Sequence, residues 1–112
     1  MKKTGAGPSE WAFRGKTVWE LVADLLSFEN QDLNVVMSFD CGETLEPARL
    51  RIGTTSIDEE MSIMGMLNFL RLNCEDPNLE VRLVSHDGIT LYPISILGKH
   101  GRFCVLRFCG SN

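Results

Sequence analysis

Apolar residues at Val18, Leu21, Val22, Leu25 and Leu26 recur at i, i+3, i+4, i+7 and i+8, the spacing of one face of an α-helix. Thr17 and Glu20 stand just ahead of this run at capping-box spacing. A hydroxyl and a carboxylate so placed satisfy first-turn amides, which predicts a helix beginning at Val18 and ending in the polar stretch from Glu29 to Asp32. A second stripe, Ile63, Met66, Leu67 and Leu70, admits two starts: Ser62 as its cap, or an earlier box made by Ser56 and Glu59. In the longer version Asp58, Glu59 and Glu60 suit the positive end of the helix dipole. Pro77, after Glu75 and Asp76, forces the chain out of helix.

After each helix the period changes to two. Leu33, Val35, Met37 and Phe39 share one face of a strand, and Leu79, Val81 and Leu83 share one face of another. Asp40-Cys41-Gly42 and His86-Asp87-Gly88 are turn chemistry, so each strand is expected to fold back as a hairpin past Leu45 or Leu91. Gly98 to Gly101 gives a further turn and Arg102 to Phe108 a fifth strand. The expected order is α-β-β followed by α-β-β-β.

The two halves repeat. Leu33/Leu79, Val35/Val81, Gly42/Gly88, Thr44/Thr90, Leu45/Leu91 and Pro47/Pro93 are identical pairs at a constant separation of 46 positions. They fall on strand cores and turns, so they report architecture rather than chemistry. The expectation is an α+β two-layer sandwich from a tandem duplication, with two helices on one face of a mainly antiparallel sheet. Residues 16–112 would form one domain from repeats 16–53 and 61–109, because about fifty residues alone bury too little apolar surface. Residues 1–15 are set apart as an N-terminal tail. Met1 to Ser9 is expected to be mobile, whereas Trp11 and Phe13, spaced as one strand face, are expected to dock on the body or meet a partner.

The stretches Thr17-Val-Trp-Glu-Leu-Val, Leu33-Asn-Val-Val, Gly42 and Pro47, and again Ser62 to Phe108, follow one pattern. It resembles the "T-V-x-E-L-I … L … D-x-x-V … G … P-I" pattern of small phage and prophage proteins of unknown function. The second half matches better, through Asp76-Pro77-Asn78-Leu79-Glu80-Val81, Gly88 and Pro93-Ile94. The first half lacks a proline near Asp32 and a clear third strand. The resemblance implies a phage-like setting and transfers no catalytic residue.

Composition narrows the class. The 112 residues, 44% hydrophobic and 23% charged, are those of an ordinary globular domain, and a net charge of −4 argues against a protein that coats nucleic acid. No apolar run approaches the roughly 20 residues needed to cross a bilayer, and Lys2-Lys3 leads into no apolar signal core, so a cytoplasmic location is expected. Cys41, Cys74, Cys104 and Cys109 form no C-x-x-C pair and are expected to be four reduced, mostly buried thiols. Cys104 and Cys109 point to opposite strand faces, which disfavours a bond between them.

Candidate chemistry is sparse. Asp40-Cys41 and His86-Asp87 offer metal-type ligands at matching turns, yet Asp before Gly is ordinary turn chemistry, and neither a metal nor a cofactor is expected. His86 and His100, with Asp87, Cys41 or Ser85, would supply a base and a nucleophile, but no spacing fixes a partner for either. Arg14, Lys16, Arg49 and Arg51 are scattered positive charges without interleaved aromatics, and read first as salt-bridged or solvated. Met61, Met64, Met66 and Phe69 fill a core or form an adaptable surface, and the outer face with Gly65, Asn68 and Arg71 suits contact with another chain.

The leading expectation is a non-enzymatic protein–protein interaction module, monomeric or homodimeric, with a protein partner rather than nucleic acid or membrane. A host-directed inhibitor of a CRISPR-type defence effector is one specific form, using Asp58, Glu59, Glu60, Glu75 and Asp76, with Trp11 as a further contact. The alternatives are a nucleic-acid or small-ligand binder using Arg49, Arg51 and Arg102, and an enzyme with a Cys/His site.

Overall fold

The computed structural model describes residues 15–109. The expected tail, apart from the buried Gly15, and the docking of Trp11 and Phe13 fall outside the described residues. Within them the order is β1 (Lys16–Thr17), α1 (Val18–Leu26), β2 (Asn34–Ser38), β3 (Glu46–Pro47), β4 (Leu50–Ile52) and β5 (Thr55–Ile57). It continues with α2 (Ile63–Asn73), β6 (Glu80–Val84), β7 (Leu91–Pro93), β8 (Ile96–His100) and β9 (Phe103–Arg107).

Both helices start on their caps. The Thr17 hydroxyl accepts from the Glu20 amide at 3.4 Å while the Glu20 carboxylate accepts from the Thr17 amide at 2.9 Å. Ser62 accepts from the Gly65 amide at 3.1 Å and is the true cap of α2. The earlier start fails because Ser56 is occupied in β5, opposite Arg51.

The chain is α+β, with two helices and mostly antiparallel strands. The strands divide between two sheets where one was expected. One has the order β3-β2-β9-β8; the other runs β1-β6-β4-β5, with β7 beside β1 on the same edge of β6. The strand order exceeds α-β-β because β1, β4 and β5 are two or three residues long, too short for alternation to show. One pairing is parallel: β9 lies along β2 from Phe103↔Asn34 to Arg107↔Ser38.

The halves hold one another at matching places. The Val18 amide donates to Leu79 O and Trp19 to Pro77 O; in the other half Ile63 donates to Leu33 O and Met64 to Gln31 O. Each helix thus begins against the segment that follows the other helix, so α1 and α2 run in opposite directions. Beyond the hairpins the match stops. β6 has the antiparallel β4 on its free side, while β2 has the parallel β9. A tandem duplication is therefore not established by the fold.

One core joins these parts. Val18, Leu21 and Leu25 of α1 and Ile63, Met66 and Leu70 of α2 are buried among the inward residues of both sheets. Phe39, Tyr92 and Phe108 link the sheets, with ring centroids 5.1 and 4.9 Å apart. Two residues depart from the expected stripes. Leu26 faces solvent, and Leu79 lies partly exposed ahead of β6.

Candidate functional site

The outward side of α1 is apolar. Its two charged residues are both engaged within the chain: Glu20 in the capping box, Asp24 in an ion pair with Lys16 at 2.9 Å. What remains outward is Trp19, Ala23 and Leu26, a stripe at i, i+4 and i+7. On α2 the outward positions are Met64, Asn68, Arg71 and Leu72. Trp19 (58% exposed), Leu26 (62%), Met64 (52%) and Leu72 (75%) make four of the seven large exposed apolar side chains among the described residues. Exposed apolar surface is thus concentrated on the helical layer.

Between the helices runs a groove of about 720 Å³. Trp19, Val22, Ala23 and Leu26 form one wall and Leu67, Asn68, Arg71 and Cys74 the other, with Glu75 and Pro77 at one end. Both walls are mainly α-helix, whose backbone groups are bonded internally except in the last turns, so the groove offers mostly side chains. Arg71 donates to Asn68 at 3.3 Å.

The acidic residues lie at the two ends of α2 rather than in one patch. Asp58, Glu59 and Glu60 are exposed in the segment between β5 and α2; Glu75 and Asp76 are exposed after its last turn. Eleven helical residues separate the groups by about 16 Å. Glu75 lines the groove, while Asp76 also accepts from the Asn78 amide at 3.0 Å. Trp11 lies outside the described residues.

The two hairpin tips are closed structural units. The Thr44 side chain, the Ser38 hydroxyl (2.7 Å) and the Thr44 amide (2.8 Å) all donate to Asp40, and these bonds lower its pKa to about 2. Asp87 repeats the arrangement with Ser85 and Thr90, and its pKa falls well below the usual carboxylate range. Gly42 and Gly88 both take positive φ, 103° and 73°, as these bends require. Among the described residues no three His, Cys, Asp or Glu side chains gather as metal ligands.

The expectation of four thiols is overturned at the first tip. Cys41 is bonded to Cys109, 68 positions away, with Cα atoms 4.8 Å apart; Cys74 and Cys104 are free. The cause is the parallel pairing, which brings the end of β9 beside Ser38, so that the Phe108 amide donates to Ser38 O at 2.9 Å. A sequence signal existed. The Ser38–Asp40–Thr44 bend has one residue more than Ser85–Asp87–Thr90, and Cys41 sits in that longer bend with a left-handed φ of 60°. The Arg107 side chain lies across Gly98 beside this bond, so closely that a methyl group there would come within 2.5 Å of the guanidinium.

The other chemistry-bearing side chains are dispersed. His86 Nδ1 stands 3.3 Å from Glu46, not beside Cys41, and Ser85 is bound to Asp87. His100 is exposed on β8. Arg49 also turns to Glu46, at 3.5 Å, and Arg51 stands opposite Arg82, which is held by Glu80 at 3.0 Å. Arg102 is exposed in the β8–β9 turn. Burial, with the negative charge of Asp24, pushes the Cys104 thiol up to about 12, and burial also raises Cys74. No helix among the described residues is long and apolar enough to cross a membrane. Comparison with protein-family models, curated proteins and solved structures returns no match.

Proposed function

We propose that the chain is a non-enzymatic protein–protein interaction module that binds its partner through the outer face of α1 and α2. One observation carries this reading: both charges of α1 are consumed internally, leaving Trp19, Ala23 and Leu26 exposed beside an apolar groove. Water solvates such a face poorly, and contiguous exposed apolar patches are ordinarily covered by a partner. The dispersal of His86, His100 and the cysteines favours binding over catalysis. A phage-encoded accessory protein directed at a host defence effector is the narrower form, supported by the sequence resemblance and by exposed acids at both ends of α2.

The test is capture from host lysate with wild type and with Ala23→Glu, a change at an exposed position. A stoichiometric protein held by wild type and lost by the variant is the expected result. Co-purifying nucleic acid, or capture indifferent to Ala23→Glu, would contradict it.

A further inference from the structure

We infer that Cys41 and Cys109 are a reversible dithiol–disulfide couple, which a dithiol reductant opens while the chain stays folded. Ser38 is what lets the fold survive the opening. This fully buried residue holds both sides of the bond at once: its hydroxyl accepts from the Gly42 amide at 2.7 Å and its carbonyl accepts from the Phe108 amide at 2.9 Å. The Cys109 amide is held as well, donating to the Ser95 hydroxyl at 3.1 Å. None of these bonds uses sulfur. With the disulfide cut, the residues beside each cysteine remain anchored, and the two thiols stay close enough to join again.

Cys41 is both accessible and strained. It is exposed in its bend, where a reductant can approach it, and it is the one non-glycine residue of positive φ among the described residues. That left-handed conformation is costly for a residue with a side chain, and cutting the bond frees Cys41 to relax. Cys74 and Cys104, half-buried and buried, keep their thiols, so the site is confined to one pair.

Charge favours the reduced form. The Arg107 guanidinium lies between Gly42 and Gly98, so closely that a methyl group on either would come within 3.2 or 2.5 Å of it. Its Nε is buried without a hydrogen-bond partner, and no ion pair among the described residues includes it. Of the carboxylates in the same bend, Asp40 is taken up by Ser38 and Thr44, and Glu43 is exposed. A disulfide offers this cation no counter-charge. A thiolate at the same place supplies one, which stabilises the reduced pair and speeds departure of the leaving sulfur. In the exchange, one thiolate of the reductant attacks the exposed Cys41 sulfur, the Cys41–Cys109 bond breaks and Cys109 leaves as thiolate. The reductant's second thiolate then attacks its own sulfur in the mixed disulfide, Cys41 leaves, and the reductant departs as a cyclic disulfide. Two electrons pass from the dithiol to the protein, and the reductant's two protons go to the cysteine thiolates or to solvent.

The test equilibrates the full chain with mixtures of reduced and oxidised dithiothreitol, quenches with N-ethylmaleimide, and locates the labels by mass spectrometry alongside circular dichroism. Cys41 and Cys109 should gain label together, in one two-electron step, while the spectrum and the labelling of Cys74 and Cys104 stay unchanged. Return to oxidised dithiothreitol should restore the Cys41–Cys109 bond alone. Arg107→Gln should need about tenfold more reduced over oxidised dithiothreitol for half reduction, and Arg107→Lys should recover most of the difference. Reduction only where the folded spectrum is lost, reoxidation into bonds with Cys74 or Cys104, or equal half-reduction points for wild type and Arg107→Gln would each overturn the inference. If circular dichroism shows Arg107→Gln to be unfolded, the wild-type measurements decide alone.

Discussion

Cys41 shows how far a single residue resists reading from sequence. Spacing rules look for short-range pairs, and its partner is 68 positions away, brought near only by the β2–β9 pairing. The structure predicts two thiols, not four, when the chain is denatured without reductant and titrated. Closing a loop of 68 residues contributes about 4 kcal/mol through restriction of the unfolded chain, so reduction or Cys41→Ser should lower the melting temperature markedly. A bond of this kind belongs to oxidising surroundings or a redox cycle, a setting not provided for by the expectation of reduced thiols in the cytoplasm. The turn carboxylates give a separate, acid-side signature. Asp40, lowered from 3.8 to about 2, and Asp87, lowered further, contribute stability that is fully present above pH 3.8 and is lost as pH falls through their folded values. Acid denaturation followed by circular dichroism should show little pH dependence from Asp40 above pH 4, where its contribution is complete, and Asp40→Asn should flatten the fall below it.

Elements were legible where local chemistry is strong. The Thr17–Glu20 box fixed the start of α1 because its bonds are satisfied within one turn and need nothing from the rest of the fold. Thr17→Ala should cost about 1 kcal/mol in urea denaturation. The stripe was less accurate at its edge: a helix buried on one side leaves i+8 turned well around from i, and Leu26 emerged into solvent. Leu25→Ala should cost about 2–5 kcal/mol, while Leu26→Ala should leave stability within about 0.5 kcal/mol of wild type. Equal losses from these neighbours would show that the helix is rotated from the position described. β5 went unread because three residues give alternation nothing to repeat, although Gly53 marks its turn with β4.

At the scale of the whole molecule, the repeat in the sequence corresponds to real contacts, with each helix seated on the other half, but it did not foretell two sheets or the parallel strand. Those depend on which long-range pairing encloses the core best, and no short window of sequence encodes that choice. The candidate face was half legible. Gly65, Asn68 and Arg71 were recognisable as an outer surface of α2, whereas Leu26 looked like core and emerges, with Trp19, which belonged to no stripe, on the α1 wall of the groove. The acids at 58–60 and 75–76 read as a single cluster only until the length of α2 separates them. The most direct test of the helical layer as the binding face is a titration of the protein captured from lysate into isotope-labelled chain, followed by amide chemical shifts. Changes concentrated at Trp19 to Leu26 and Leu67 to Glu75 are predicted. Changes centred on the β8 edge or around Arg51 and Arg82, with the helices unmoved, would contradict it.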